Sequence, residues 1–392
     1  MLLQFNFTNY LSFKDEAILS LYANSDKAHE QSLLKYNKER LLPAIAIYGA
    51  NAAGKSNLTK ALQAAVTIVR NSNLMQLDSP ITQIIPFLMD DESRNQKTRF
   101  DFIFVHNGKK YEYGFTADRK VIYEEYLYEY TSAKASMIFE RSDIDHYDFT
   151  TKSKSLASYV DKNLPNKLFL ATATAWNSEL TKDAYRWFSE GIDVFTNENL
   201  QSNLLEKLQQ AKFTKDNSLN DFMLKMLKKA DINISGFDLT DDDSNNIITK
   251  HKVSDKEYLL NYDSESNGTK RLFSYSPIIK DSLEKGKTII IDEIDNCLHP
   301  MLTKALVEMF QDSQININGA QLIFNTHEIN LLDLDLFRRD QIYFVEKNYK
   351  TASSDLYSLD EFSPRNNENI NKGYMQGRYG AVPFINLGEN PW

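Results

Sequence analysis

The sequence predicts an α/β fold in which a mixed central sheet is joined to an antiparallel β meander and a helical insertion. Three observations predict it. A strand-length apolar run, Ala44-Ile45-Ala46-Ile47-Tyr48, leads into Gly49-Ala50-Asn51-Ala52-Ala53-Gly54-Lys55-Ser56, after which Leu58, Leu62, Ala65, Val66 and Val69 recur at helical spacing. A second run, Thr288-Ile289-Ile290-Ile291, has the character of a parallel strand buried on both faces and ends in Asp292-Glu293. Between the two, Phe100, Phe102 and Phe104 alternate on one face, His106-Asn107-Gly108-Lys109 makes a turn, and Tyr111, Tyr113 and Phe115 alternate on the way back.

The eight residues from Gly49 fill every fixed position of the pattern G-x-x-x-x-G-K-[ST], between the strand and the helix that the pattern requires. Its glycines permit tight turns, successive N–H groups then face inward as an anion nest, and the N-terminus of the next helix adds partial positive charge. Lys55 is expected to reach the β- and γ-phosphates of a nucleoside triphosphate, and Ser56 to ligate magnesium. Gly49, Ala50, Asn51, Ala52, Ala53, Gly54, Lys55, Ser56 and Asn57 are the candidate nucleotide-binding residues.

With 392 residues, 42% of them hydrophobic, the chain can bury a sizeable core. A formal net charge of -9 argues against a surface built mainly to coat nucleic acid. The single cysteine, Cys297, excludes an intrachain disulfide and fits a reducing compartment, and its place beside an apolar strand predicts a buried structural thiol. The N-terminus has no basic region followed by an apolar core, and no stretch approaches membrane-spanning length, so the expectation is a soluble, cytoplasmic protein with no membrane partner.

In chain order, Leu3, Phe5 and Phe7 alternate with polar residues as a strand, with residues 17–22 as an antiparallel neighbour. A further strand over residues 121–130 extends the meander, whose aromatic residues are expected to pack against one another and not to stack bases. Residues 1–144 thus form an N-terminal lobe. From 145 to 245 the strand signal fades, and residues 178–188, 200–211 and 220–230 show helical spacing, which predicts a mainly helical insertion. Lys225, Lys228 and Lys229 read as a solvated face of its last helix, and residues 241–246 as a polar turn. Residues 246–392 return to α/β character. There the run into Asp292 is followed by a helix opening at Pro300, by a strand over residues 321–324 that ends at Asn325-Thr326-His327, and by a strand over residues 341–345.

This second half supplies what hydrolysis needs beyond a phosphate loop. Asp292, at the end of a buried strand, is placed to hold magnesium through its water shell, and Glu293 beside it to act as general base or to position water. His327, at the end of a neighbouring strand, is a candidate for contact with the γ-phosphate or the attacking water. Ahead of them, Ser266-Asn267-Gly268 forms a small polar turn before a helix carrying Leu272, Phe273, Ile279 and Leu283, a second anion site. No nuclease constellation is evident among the remaining histidines and acids.

The set Gly49 to Ser56, Ser266-Asn267-Gly268, Ile289 to Glu293 and Asn325 to Glu328 resembles the ABC-type ATPase heads of the RecF, structural-maintenance-of-chromosomes and overcoming-lysogenization-defect proteins. More narrowly, Phe7-Thr8-Asn9-Tyr10 with Ser12-Phe13-Lys14-Asp15, Glu265-Ser266-Asn267-Gly268-Thr269, Leu298-His299-Pro300 and Gly377-Arg378-Tyr379-Gly380-Ala381-Val382-Pro383 resemble the RloA/AbiL-type ATPases of bacterial abortive-infection operons. The resemblance implies a P-loop NTPase of ABC-ATPase head type that uses Mg2+ and ATP. It also implies a homodimer in which ATP lies between the phosphate loop of one subunit and Ser266 of the other. A role in anti-phage defence follows from it as well, with control of a separate effector, often a Toprim-like nuclease. The chain departs from the usual ABC pattern in lacking the signature's leading leucine and double glycine, and in carrying His299 where many such enzymes have aspartate. Gln83 and Gln96 are both candidates for the glutamine of the loop after the first helix. The alternative reading is a RecF-like repair ATPase that clamps DNA. The acidic balance and the short insertion, where DNA-repair relatives carry long coiled coils, weigh against it.

Overall fold

In β1 (Leu2–Thr8) the rings of Phe5 and Phe7 are buried and Gln4, Asn6 and Thr8 are only half-buried, so one face of the strand has a core to pack on. The structure, a computed structural model, describes residues 1–131, 134–240, 246–365 and 368–383. After β1 come β2 (Ala17–Ser20), the short hairpin β3 (Leu34–Tyr36) and β4 (Glu39–Leu41), β5 (Ala44–Tyr48) and α1 (Lys55–Asn71). The meander follows as β6 (Thr98–His106), β7 (Lys109–Ala117), β8 (Ile122–Tyr130), β9 (Ala135–Ser142) and β10 (His146–Phe149). Then come α2 (Phe169–Ala175), α3 (Glu179–Arg186), β11 (Ile192–Phe195), α4 (Leu200–Thr214), α5 (Ser218–Lys229), β12 (Gly236–Leu239), β13 (Ile247–Val253) and β14 (Lys256–Asn261). The chain continues through α6 (Asn267–Lys285), β15 (Thr288–Ile291), α7 (Pro300–Gln311), β16 (Gln321–Asn325), β17 (Ile342–Lys347), β18 (Ser354–Ser358) and α8 (Ile370–Met375).

Two large sheets carry the architecture. One is antiparallel, in the order β10-β9-β8-β7-β6-β1-β2, and the other runs β11-β15-β16-β5-β17-β18 with only β18 antiparallel. The second sheet's central strands β5, β15 and β16 are buried at every residue, which is why each carries a continuous apolar run. Ile45, Ile47, Ile290 and Ile323 face a core shared with the meander and α1, while Ala46, Ile289, Ile291 and Phe324 face a second core with α6 and α7. Gln321 joins the sheets at one end, its Oε1 accepting from Leu2 N at 2.7 Å and its Nε2 donating to Leu2 O at 2.9 Å. A parallel sheet with a glycine-rich loop between β5 and α1 is a P-loop NTPase fold.

The meander's aromatic residues are packing residues, as expected. Phe104 stacks on Trp187 with ring centroids 4.2 Å apart, and Phe102 meets Phe188 edge-on at 5.1 Å. Each such contact contributes about 1 kcal/mol beyond the area it buries.

The stretch 145–245 holds α2 to α5, but also β10, β11 and β12. Of these, β11 is an edge strand of the central sheet, paired in parallel with β15. It is four residues long, and its Asp193 faces Lys287 at 2.9 Å and Arg70 at 3.0 Å, so it leaves no apolar run in the sequence. Lys225, Lys228 and Lys229 are exposed on α5. The polar turn expected at 241–246 lies, apart from Asn246, outside the described residues.

Candidate functional site

The phosphate loop holds a shape that its sequence permits and its neighbours enforce. Gly49 and Gly54 have φ of 155° and 120°, and Ala52 is left-handed at 59°. A Cβ on Gly49 would stand 2.3 Å from Val345 O, and one on Gly54 2.5 Å from Ser354 Oγ, so neither position accepts a side chain. Ser354 Oγ donates to Ala53 O at 2.5 Å and accepts from Ser12 Oγ at 2.8 Å, and Asn57 Nδ2 donates to the same Ser12 Oγ at 2.8 Å. The loop is thus braced from β18 and from the turn after β1. Lys55 Nζ folds across it, donating to Gly49 O at 2.8 Å and Ala50 O at 3.1 Å. Burial pushes the Lys55 pKa down, against the opposing pull of Glu293, Asp292 and Asp295.

The order β15-β16-β5 explains why residues far apart in sequence meet. These strands are neighbours and parallel, so Glu293 after β15, His327 after β16 and the phosphate loop after β5 all emerge from the same edge. They line one open cleft of about 650 Å³, with residues 50–57, Glu293, His327 and Lys347 on its walls. That volume lies within the range of small-molecule sites.

Asn325, to which the sequence reading assigned no role of its own, is the keystone beneath this cleft. It is buried, its Oδ1 accepts from Glu293 N at 2.7 Å, and its Nδ2 donates to Asp292 Oδ1 and, at 3.3 Å, to Thr59 Oγ1 on α1. One amide therefore ties both acids to the helix behind the phosphate loop. Glu293 is left-handed, with φ of 51°, a conformation that costs a residue with a Cβ about 1 kcal/mol and that the Asn325 bond helps to hold. Lys347 was also missed. A lysine ending the apolar strand Ile342-Tyr343-Phe344-Val345 was its only signal.

Other expected residues lie elsewhere. Asp292 is held by Asn325 and is not on the cleft wall, although Glu293 beside it is. Ser266, Asn267 and Gly268 are outside the cleft too. Ser266 caps α6, its Oγ accepting from Thr269 N at 3.1 Å, and Gly268 sits so near the following loop that a Cβ would fall 2.9 Å from Cys297 O. Gln83 and Gln96 do not line the cleft, and Gln96 Nε2 donates to Glu92 Oε1 at 3.0 Å. His299 caps α7, its Nδ1 accepting from Met301 N at 3.3 Å. Cys297 corrects an expectation: it is exposed, because the chain has left β15 and turns through a left-handed residue there, with φ of 64°.

Ser56 Oγ and the carboxylates of Asp292 and Glu293 are hard oxygen donors of the kind magnesium takes. Among the described residues no group of three His, Cys, Asp or Glu is arranged as a metal cage. A donor set of this sort suits an ion held partly by nucleotide phosphates and water.

Residues 44–333 match a family model described as "AAA domain, putative AbiEii toxin, Type IV TA system". That match spans about three quarters of the chain. The chain belongs to this AAA family. Solved structures of similar course include an Smc head bound to the C-winged helix domain of ScpA, at 12% identity, covering 93% of this chain and 99% of that one, with a TM-score of 0.49. An SMC head domain from Thermotoga maritima, at 12% identity, covers 91% and 98% with a TM-score of 0.42. An Smc head domain with an extended coiled coil, bound to the C-terminal domain of ScpA derived from Pyrococcus furiosus, is 11% identical and covers 92% and 97% with a TM-score of 0.45. No curated protein sequence matches this AAA protein. Among its described residues no helix is long and apolar enough to cross a membrane.

Proposed function

We propose that this AAA protein is an ATP-hydrolysing switch of a bacterial anti-phage defence system, of RloA/AbiL type, which controls a separate effector, a Toprim-like nuclease by class. The observation that carries the ATPase part is the single cleft in which the braced phosphate loop, Glu293 and His327 meet. Loop N–H groups and Lys55 would take the triphosphate, and Ser56 and, through water, Asp292 would hold magnesium, which would supply positive charge against the phosphates. Glu293 orients and deprotonates the attacking water. His327 would contact the γ-phosphate or the attacking water.

The signature turn at Ser266 stands outside the cleft of its own subunit, which favours its use on the nucleotide of a second copy. Each copy then completes the other's site. The defence reading rests on the family match and on the motif resemblance, and it makes nucleotide state the signal that the effector reads. Purification from the native host with and without ATP tests it. A stoichiometric nuclease partner whose association depends on nucleotide supports the switch, whereas salt-sensitive duplex binding by the isolated chain supports a RecF-like clamp instead.

A further inference from the structure

The turn after β11 reaches Glu293 from outside the cleft. Asn199 holds this turn, its Oδ1 accepting from Thr196 N at 2.9 Å and its Nδ2 donating to Val194 O at 3.0 Å, while Asp292 N donates to Phe195 O at 2.9 Å. Asn197 is therefore set in place just ahead of α4. Its Nδ2 donates to Glu293 Oε2 at 3.2 Å, and its Oδ1 accepts from Arg271 Nη2 at 2.7 Å. Arg271 lies on α6, little more than a turn beyond the Ser266 cap, and its Nε also donates to Asn296 O at 3.2 Å.

We propose that Asn197 is a positioning residue for the Glu293 carboxylate, and that Arg271 ties it to the helix that starts at the signature turn. The inference deepens the ATPase reading above and rests on it. Among the described residues, Asn197 makes the only hydrogen bond to the Glu293 carboxylate. Holding Oε2 leaves Oε1 to face the water. A guanidinium bonded to the amide oxygen polarises the amide and strengthens its N–H as a donor. Without the bond the carboxylate samples several rotamers, and a displacement of about 1 Å at a reacting group costs up to about a hundredfold in rate.

The relay has a consequence for two copies. Ser266 and Arg271 ride on one rigid helix, so a shift of the signature turn as it meets the nucleotide of another copy moves Arg271, and through Asn197 the Glu293 of its own subunit. Each carboxylate thereby responds to occupancy of the other site.

The test measures steady-state ATP turnover by the full chain with magnesium. Asn197→Asp is nearly isosteric and keeps an acceptor for Arg271, but it puts a carboxylate where Glu293 had a donor; the site is exposed, so the fold is undisturbed. Its kcat should fall about tenfold with KM for ATP within about twofold, the split expected when a group acts in the transition state alone. Arg271→Ala should lower kcat similarly, and the double variant should lose no more than the worse single one, since both interrupt one chain of bonds. Unchanged kcat in Asn197→Asp, beside an inactive Glu293→Gln, would overturn the relay and leave the ATPase reading intact. Losses that multiply in the double variant would sever the tie to α6. Full turnover in Glu293→Gln would remove relay and ATPase reading together.

Discussion

At the scale of single residues, the proposed ATPase chemistry rests on Lys55, Glu293 and His327, which line one cleft. The phosphate loop, Glu293 and His327 were legible because each follows an apolar run of strand length, and a polar group there has few structural uses. Asn325 and Asn197 were not. An asparagine at a strand end or in a turn has no periodic signature, and only the folded chain reveals that one clamps two acids and the other holds a carboxylate. Two outcomes follow at this scale. Lys55→Ala should abolish ATP turnover, because on the proposed function the lost cation would face the β- and γ-phosphates. Its folding stability should change by less than about 1 kcal/mol, since burial disfavours the charge that alanine removes. Asn325→Ala leaves Asp292 Oδ1, Glu293 N and Thr59 Oγ1 without this partner, and urea unfolding should register a loss of about 2 kcal/mol.

Among elements, the strands with strict periods were legible and the short or charged ones were not. The meander's alternating aromatics point directly to β6, β7 and β8. By contrast, β11 carries Asp193, and β14 is exposed along its whole length, so neither shows a buried face in the sequence. The start of α2 depends on a group that periodicity cannot reveal. Glu125 is fully buried, accepting from Phe169 N at 2.5 Å, Leu170 N at 2.9 Å and Tyr113 Oη at 3.0 Å. Burial raises its pKa from the ordinary 4.5 to about 6, against the opposing pull of those donors and Arg141. A raised carboxyl pKa means that the folded state holds the proton more tightly, so this group's stabilisation is full below about 4.5 and is lost as pH rises through about 6. Its size is about 2 kcal/mol. Glu125→Gln should abolish that component. Urea midpoints compared between pH 4.5 and pH 7 should differ less in the variant than in the parent chain, and an unchanged difference would mean that Glu125 does not titrate in this window.

At the scale of the whole molecule, the α/β class was legible because two apolar runs flank the motifs of nucleotide chemistry. The order β15-β16-β5 was not legible, since sequence reports which strands exist and not which are neighbours. Yet that order puts Glu293, His327 and the phosphate loop at one edge, and it leaves Ser266 outside their cleft. On the proposed function, ATP closes two such edges on one another. Sedimentation of Glu293→Gln with magnesium and ATP tests it most directly, because this variant should bind ATP without consuming it, and trapped nucleotide stabilises whatever assembly it joins. A more fully dimeric protein is expected with ATP than without it, and that shift should reverse when Ser266→Arg adds bulk and charge at the contact. An association state indifferent to both ATP and Ser266→Arg would contradict it.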